Sequence, residues 1–239
     1  MRYVIIPDVH GRSFWKEAVK VLADHYIFLG DYMDPYPHEK ISNETALENF
    51  LEILDFKHQD TNKTTLLLGN HDLGYMTTPD FCSSRHWSRK HETLNTLYNS
   101  NKNLFDIYYK AGEFILSHAG VHPEWLKQES LSIDQFLVFN KMYHSDSGFQ
   151  KVMNSLYYID YWRGGWCSVG SPVWADVRCF FKSEVPDDFP LQIFGHTQLN
   201  KNPISIKGGF CVDCRRAFLL ENGVLKELDG SDIILENNN

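Results

Sequence analysis

Short apolar runs alternate with amphipathic stretches along the first third of the chain. The apolar runs at 3–6, 26–29 and 64–68 are rich in β-branched and large residues, and each ends at a polar turn or a glycine. Such runs are typical of buried strands. Residues 13–23 and 43–57 instead carry apolar residues at the spacing of one helix face. The pattern predicts an α/β fold of strand–helix units, with polar side chains just past the strand ends.

The remainder of the chain is predicted to add strands and two segments of another kind. Further apolar runs predict strands at 113–116, 191–194, 210–212, 216–220 and 224–228. Asn222-Gly223, between the last two runs, is a strong hairpin signal. Residues 76–106 and 124–165 lack a clean strand pattern, and the second is amphipathic and aromatic. We interpret both as cap or insertion segments of a single domain over residues 1–239.

Composition narrows the class of protein. The net charge of −8 provides no overall basic field, so nucleic acid is not an expected partner. The apolar run at the N-terminus is too short for a signal peptide or a membrane span, so no membrane partner is expected. Five cysteines without a dense framework favour a reducing compartment, and we expect a cytoplasmic protein. The sequence leaves the oligomeric state open.

Polar clusters follow the predicted strands in five places. They are Asp8-Val9-His10-Gly11, Gly30-Asp31-Tyr32-Met33-Asp34, Gly69-Asn70-His71-Asp72, Ser117-His118-Ala119-Gly120 and Gly195-His196-Thr197. Carboxylate, imidazole and amide oxygen together suit borderline divalent metals such as Mn, Fe, Zn or Ni. One such cluster alone is usually only a turn, but five in succession, most of them at strand ends, predict a metal centre.

The five clusters resemble the motifs of the calcineurin-like metallophosphoesterase superfamily. In order over residues 8–197 they match DxH, GDxxD, GNH[DE], a strand-end histidine and GHT. Gln198 stands where many relatives carry a second histidine, so the resemblance is closest to the bacterial and phage serine/threonine phosphatase and diadenosine tetraphosphatase branch. This resemblance implies a four-layered α/β/β/α sandwich of two mixed sheets with a helical cap-like insertion, and it places the C-terminal hairpin in the second sheet.

The resemblance also implies roles for particular residues. Two divalent metal ions, with Mn as the first choice, would be held by Asp8, His10, Asp31, Asn70, His118 and His196. Asp31 would bridge the two ions, which together activate water for direct attack on phosphorus. His71 would protonate the leaving oxygen, and Asp34 would orient His71 and raise its basicity.

One departure from the family pattern concerns how phosphate is bound. The branch usually carries an arginine directly after the second aspartate of GDxxD, but here Pro35 follows Asp34. Metal chemistry does not need that arginine, whereas substrate binding does. The candidates to replace it are Arg163, Arg178 and Arg12, with Arg163 preferred.

The function predicted from these features is hydrolysis of phosphate esters by a metal-dependent enzyme. A phosphoserine or phosphothreonine protein is the first expected substrate. The alternative is a nucleotide or dinucleoside polyphosphate hydrolase, in which the aromatic stretch 157–162 would stack on a base. We favour packing of that stretch within a cap helix. A non-catalytic binding module on the same fold is the alternative of another class, and the presence of all six ligands and His71 argues against it.

Overall fold

The computed structural model describes residues 1–77, 83–181 and 184–228. They form two compact units: unit 1 comprises residues 1–105 with 215–228, and unit 2 comprises residues 106–214. The described residues contain two mixed sheets with helices, which confirms the predicted α/β class. No helix within the described ranges is long and apolar enough to cross a membrane.

The sheet of unit 1 contains six strands, β1 (Arg2–Ile6), β2 (His25–Phe28), β3 (Thr64–Leu67), β4 (Phe105–Asp106), β10 (Phe218–Glu221) and β11 (Val224–Glu227). Their order in the sheet is β11-β10-β1-β2-β3-β4. β1, β2 and β3 are parallel neighbours, as the strand–helix alternation predicts. Almost all of their residues are buried, because interior parallel strands are covered on both faces.

The helices of unit 1 are α1 (Trp15–Ala18), α2 (Asn43–Gln59), α3 (Asn70–Met76) and α4 (His91–Ser100). α2 begins at Ser42, whose side chain accepts a hydrogen bond from the Thr45 backbone N–H. Its buried face includes Ala46, Phe50, Ile53 and Leu54, whereas Leu51, another apolar residue of the predicted helix, is 42% exposed. The helix predicted over 13–23 is shorter, because only Trp15–Ala18 is helical.

The C-terminal hairpin lies in a different sheet from the one predicted. β10 pairs antiparallel with β1, with Tyr3 opposite Leu220 and Ile5 opposite Phe218, and β11 pairs with β10. The hairpin therefore extends the sheet that holds the first three strands, and its assignment to the second sheet is wrong. The hairpin itself is present, since Asn222 and Gly223 both take the positive φ that a tight two-residue turn requires.

The sheet of unit 2 contains β5 (Tyr108–Ala111), β6 (Phe114–Ser117), β7 (Leu191–Phe194), β8 (Ile204–Ile206) and β9 (Gly209–Cys211). Their order in the sheet is β5-β6-β7-β9-β8. β6, β7 and β9 are parallel to one another, and β5 and β8 form antiparallel edges. The helices of this unit are α5 (Pro123–Gln128), α6 (Ile133–Phe136), α7 (Phe139–Tyr143), α8 (Phe149–Ser155) and α9 (Val177–Phe180).

Four of these helices, α5 to α8, occupy half of the segment 124–165, which agrees with the helical character predicted for it. The aromatic stretch at its end differs from the prediction. Tyr161 and Trp162 lie in a 3₁₀ turn, Tyr161–Arg163, and are 69% and 43% exposed. Packing within a cap helix is therefore wrong for these two residues. Residues 76–106 include α4, which packs against α3.

Candidate functional site

The predicted site residues of unit 1 follow its three parallel strands. Because parallel strands end at one edge of a sheet, the segments after β1, β2 and β3 meet there. The backbone N–H of His10 donates to the Asp31 carbonyl at 2.6 Å, which joins the first two segments directly. All the predicted site residues of these segments are buried, namely Asp8, His10, Asp31, Asp34, Asn70 and His71.

His10, Asp31 and His71 form a cluster of potential metal donors. One donor atom from each lies within 4.8 Å of the others, and all three residues are buried. Nδ1 of His10 donates to the Met33 carbonyl at 2.8 Å, so Nε2 keeps its lone pair and faces Asp31 Oδ2 at 3.4 Å. A backbone carbonyl on the far nitrogen is the usual support of a metal-ligating histidine. Burial lowers the pKa of His10 well below its usual value, which keeps the imidazole neutral, as a ligand must be.

Negative charge is concentrated in this cluster. Burial raises the pKa of Asp31 well above its usual value, and the nearby charges of Asp8 and Asp72 raise it further. Buried carboxylates that repel one another are stabilised by a divalent cation. The donor types and the charge of this group therefore fit a metal ion.

Asp31 approaches the start of α3 very closely. Oδ1 of Asp31 accepts a hydrogen bond from the His71 backbone N–H at 2.9 Å. A Cβ atom at Gly69 would lie only 2.1 Å from that same oxygen, so no other residue fits at position 69 without moving Asp31. Gly69 is therefore required because the Asp31 carboxylate occupies the space that a side chain at position 69 would take.

His71 and Asp34, the predicted acid and its orienting carboxylate, are in contact. Nδ1 of His71 lies 2.6 Å from Asp34 Oδ2, and Ser83 Oγ lies 2.7 Å from the same nitrogen. The Tyr75 hydroxyl donates to Asp34 Oδ1. Burial raises the pKa of Asp34 to about 7, against the opposing effect of the hydrogen bond from Tyr75. With Nδ1 held by Asp34, Nε2 is the nitrogen of His71 that can exchange a proton with a substrate.

Asp72 holds the segments of the site together, although the sequence did not single it out for a role. Its carboxylate accepts hydrogen bonds from the backbone N–H groups of Asp31, Tyr32 and Gly69 at 2.7, 3.1 and 2.8 Å. It also accepts a hydrogen bond from the Tyr98 hydroxyl at 2.7 Å. The segments after β2 and β3 are thus fixed by one buried side chain.

We expect Asp72→Ala to lower the free energy of unfolding by about 3 kcal/mol or more, because several buried donors lose their acceptor. Tyr98→Phe is the matched variant, since it removes one donor and leaves the carboxylate in place, and about 1 kcal/mol is expected. Urea unfolding in the presence of a chelator measures both values without a contribution from bound metal. Equal losses for the two variants would contradict the role given to Asp72.

In unit 2 the structure brings His118 and His196 together. His118 follows β6 and His196 follows the neighbouring parallel strand β7. Nε2 of His118 lies 3.1 Å from Nδ1 of His196, and both residues are buried. The Gly195 backbone N–H donates to the His118 carbonyl at 2.7 Å, which ties the two strand ends to each other. Imidazole is a common ligand of the borderline metals predicted here.

The three arginines predicted to bind substrate are each paired with a carboxylate. Arg12 in unit 1 is buried, and its Nε lies 2.9 Å from Glu39 Oε2. In unit 2, Arg163 and Arg178 both form ion pairs with Asp176, at 2.8 and 2.7 Å. Arg163 also donates to Thr197 Oγ1 at 2.6 Å, so it lies beside the segment of His196.

Arg85 contacts the predicted acid, although no sequence motif indicates a role for it. Its Nη2 lies 3.3 Å from His71 Nε2, and its Nε donates to the Asp34 carbonyl at 3.1 Å. Arg85 belongs to residues 76–106, which carry no motif, so its position depends on long-range folding alone.

Comparison with known proteins agrees with this geometry. Residues 1–199 match the family of calcineurin-like phosphoesterases, and the chain belongs to that family. It is a hydrolase that acts on phosphate esters, which confirms the resemblance and the class of enzyme inferred from the motifs. No curated protein sequence matches the chain at a significant level.

Several solved structures are similar. A cold-active protein-tyrosine phosphatase from a psychrophilic Shewanella species is 18% identical, with a TM-score of 0.58, over 94% of this chain and 76% of the other. A serine/threonine phosphatase from Saccharomyces cerevisiae is 18% identical over 51% of this chain and 39% of its own, with a TM-score of 0.35. A metallophosphoesterase from Sphaerobacter thermophilus is 19% identical over 50% and 47%, with a TM-score of 0.30. The likeness to the first supports the fold.

Proposed function

We propose that this chain is a phosphomonoesterase of the serine/threonine protein phosphatase type, dependent on two divalent metal ions. The observation that carries the proposal is the His71–Asp34 pair beside the buried donors of His10 and Asp31. A proton donor next to a metal donor set is the arrangement that hydrolysis of a phosphate ester needs. Its expected partner is a phosphorylated protein, and the thiols of the four described cysteines support a cytoplasmic location.

The metal ligands in this proposal are those predicted from the sequence, with Mn as the first choice and Fe, Zn or Ni as the others. The ligands are Asp8, His10, Asp31, Asn70, His118 and His196. When bound, two such ions neutralise charge on the phosphate and provide a water with a pKa of about 7 as the nucleophile. Neutral His10 and the crowded carboxylates of Asp8 and Asp31 are suited to hold a cation.

The remaining chemistry falls to the protein's own side chains. His71 passes a proton from Nε2 to the leaving oxygen, so the alcohol departs as a neutral molecule. Asp34 accepts the hydrogen bond from Nδ1, which fixes the orientation of the ring and favours its protonated form. The hydroxyls of Tyr75 and Ser83 hold Asp34 and the ring in place.

Hydrolysis of p-nitrophenyl phosphate tests this proposal. We expect Mn-dependent release of p-nitrophenol that chelation abolishes and added Mn restores, since the nucleophile depends on the metal. Bis-p-nitrophenyl phosphate should be hydrolysed much more slowly, because a monoesterase site binds a terminal phosphoryl group. A higher rate on the bis-ester would point to a phosphodiesterase, and the absence of metal-dependent turnover on either compound would contradict the proposal.

A second candidate function is hydrolysis of nucleotides or dinucleoside polyphosphates. The observation that favours it is the exposure of aromatic side chains near Arg163, because Tyr161 is 69% and Trp166 is 88% exposed. Exposed aromatic rings stack on bases at a gain of about 1–3 kcal/mol per base. Rates on diadenosine tetraphosphate and on a phosphoserine peptide separate the two functions. If the base binds at Trp166, Trp166→Ala should slow hydrolysis of diadenosine tetraphosphate and leave hydrolysis of the phosphoserine peptide unchanged.

A further inference from the structure

Arg85 is fixed at the nitrogen of His71 that faces substrate in the proposed function. Its guanidinium carbon lies 3.8 Å from the centroid of the Tyr36 ring, a stacking distance. Its Nε and Nη2 reach the Asp34 carbonyl and His71 Nε2. These contacts place a guanidinium group beside the atom from which a proton passes to the leaving oxygen.

The charge of Arg85 is directed at the donor cluster. Within the described residues its polar contacts are a carbonyl, the Ser84 hydroxyl and an imidazole nitrogen, and none is a carboxylate. Arg12 and Arg163, by contrast, form ion pairs with Glu39 and Asp176. The Arg85 charge therefore remains available to an anion at this site.

The backbone of Arg85 adopts a conformation that side chains rarely take. Its φ of 67° lies in the left-handed region, which costs free energy for a residue with a Cβ. His10, Asp31 and Asp34 share a positive φ, with values of 45°, 55° and 61°. Such conformations concentrate at functional sites, where the surrounding structure maintains them. Arg85 is thus held in place in the same way as the predicted metal donors.

We propose that Arg85 binds the phosphoryl group of the substrate, and that it supplies the cation missing after Asp34. The inference rests on the proposed function of the same site. Pro35 replaces an arginine, and Tyr36, the next residue, provides the ring on which Arg85 stacks. A guanidinium binds two phosphoryl oxygens at once. When phosphate is present, the guanidinium turns from His71 Nε2 to these oxygens and leaves the nitrogen to the leaving group.

Binding of inorganic phosphate to the Mn-loaded protein tests this role without requiring turnover. Arg85→Gln keeps a hydrogen-bonding side chain but removes the charge, and we expect calorimetry to show phosphate affinity about ten-fold weaker or more. The phosphate affinity of Arg85→Lys should lie between those of the wild type and Arg85→Gln, since lysine keeps the charge but lacks the planar guanidinium. Arg89→Gln, an exposed arginine of the same segment, is the control and should bind phosphate like the wild type. Mn affinity should not fall in any of the three variants, since removing a positive charge does not weaken the binding of a cation.

The outcomes separate this inference from the proposed function. If Arg85→Gln binds phosphate like the wild type but has a lower kcat, Arg85 acts only through His71, and the inference is overturned. If the wild type binds phosphate through Arg85 yet hydrolyses no p-nitrophenyl phosphate, the inference stands and the proposed function fails. If Arg85→Gln does not fold, Arg85→Lys decides: unchanged phosphate affinity and KM in that variant overturn the inference.

Discussion

Replacing His71 with asparagine should lower kcat by about 10²–10⁴-fold, the range of general acid catalysis. The amide has no titratable proton to give to the leaving oxygen, although it fills part of the same space beside Asp34. The loss should grow as the leaving group becomes more basic, because a poor leaving group needs the proton more. Phenyl phosphate should therefore suffer a larger loss than p-nitrophenyl phosphate.

The dependence on the leaving group matters because His71 also lies within the donor cluster of His10 and Asp31. A His71 that served as a metal ligand would, on replacement, lower the bound Mn and slow both esters by the same factor. A His71 that serves as the acid leaves Mn affinity near the wild-type value. His58→Asn, on the exposed face of α2, is the control and should leave both properties unchanged. Equal losses on the two esters would contradict the assignment of the acid.

The sequence predicted the elements that carry the donors because those elements have local signals. Ile6, Phe28 and Leu67 end buried strands, and each is followed within a few residues by a polar cluster. That combination needs no knowledge of long-range contacts. The parallel order of β1, β2 and β3 then brings the clusters to one edge, as the strand–helix alternation predicts.

What the sequence did not predict depends on long-range pairing. Nothing in residues 216–228 states which sheet the hairpin extends, because alternation specifies a strand and not its neighbour. β5 and β8 were missed because Tyr108–Ala111 and Ile204–Ile206 are short edge strands without a distinct pattern. Arg85 and Asp72 were missed because their roles depend on contacts with residues that are distant in the sequence. Their partners, Asp34 and Asp31, lie 51 and 41 residues away along the chain.

Asp31→Asn should have opposite effects on activity and on the stability of the metal-free protein. Asparagine has the shape of aspartate, and its carbonyl can still accept the hydrogen bond from the His71 backbone N–H. The loss of charge, however, would weaken the cation site to which Asp31 is proposed to contribute. Turnover should fall by at least about 10³-fold, because metal activation contributes several kcal/mol to catalysis. The Mn content measured by elemental analysis after dialysis should fall together with turnover.

The metal-free protein should, in contrast, be more stable with asparagine at this position. Burial raises the pKa of Asp31 above its usual value of 3.8 in the folded state, so ionisation of this carboxyl destabilises the fold. The cost is absent below pH ~4, where the unfolded chain is also protonated, and it increases as the pH rises above that value. Urea unfolding with a chelator should therefore show a stability gain for Asp31→Asn that is larger at pH 8 than at pH 5.

Asp55→Asn, on the exposed face of α2, is the control and should show neither effect. A variant that kept its Mn and its turnover would remove Asp31 from the metal site. A variant that lost its Mn and its turnover without gaining stability would leave the metal role of Asp31 intact. It would contradict the inference that the ionised Asp31 carboxyl destabilises the metal-free protein.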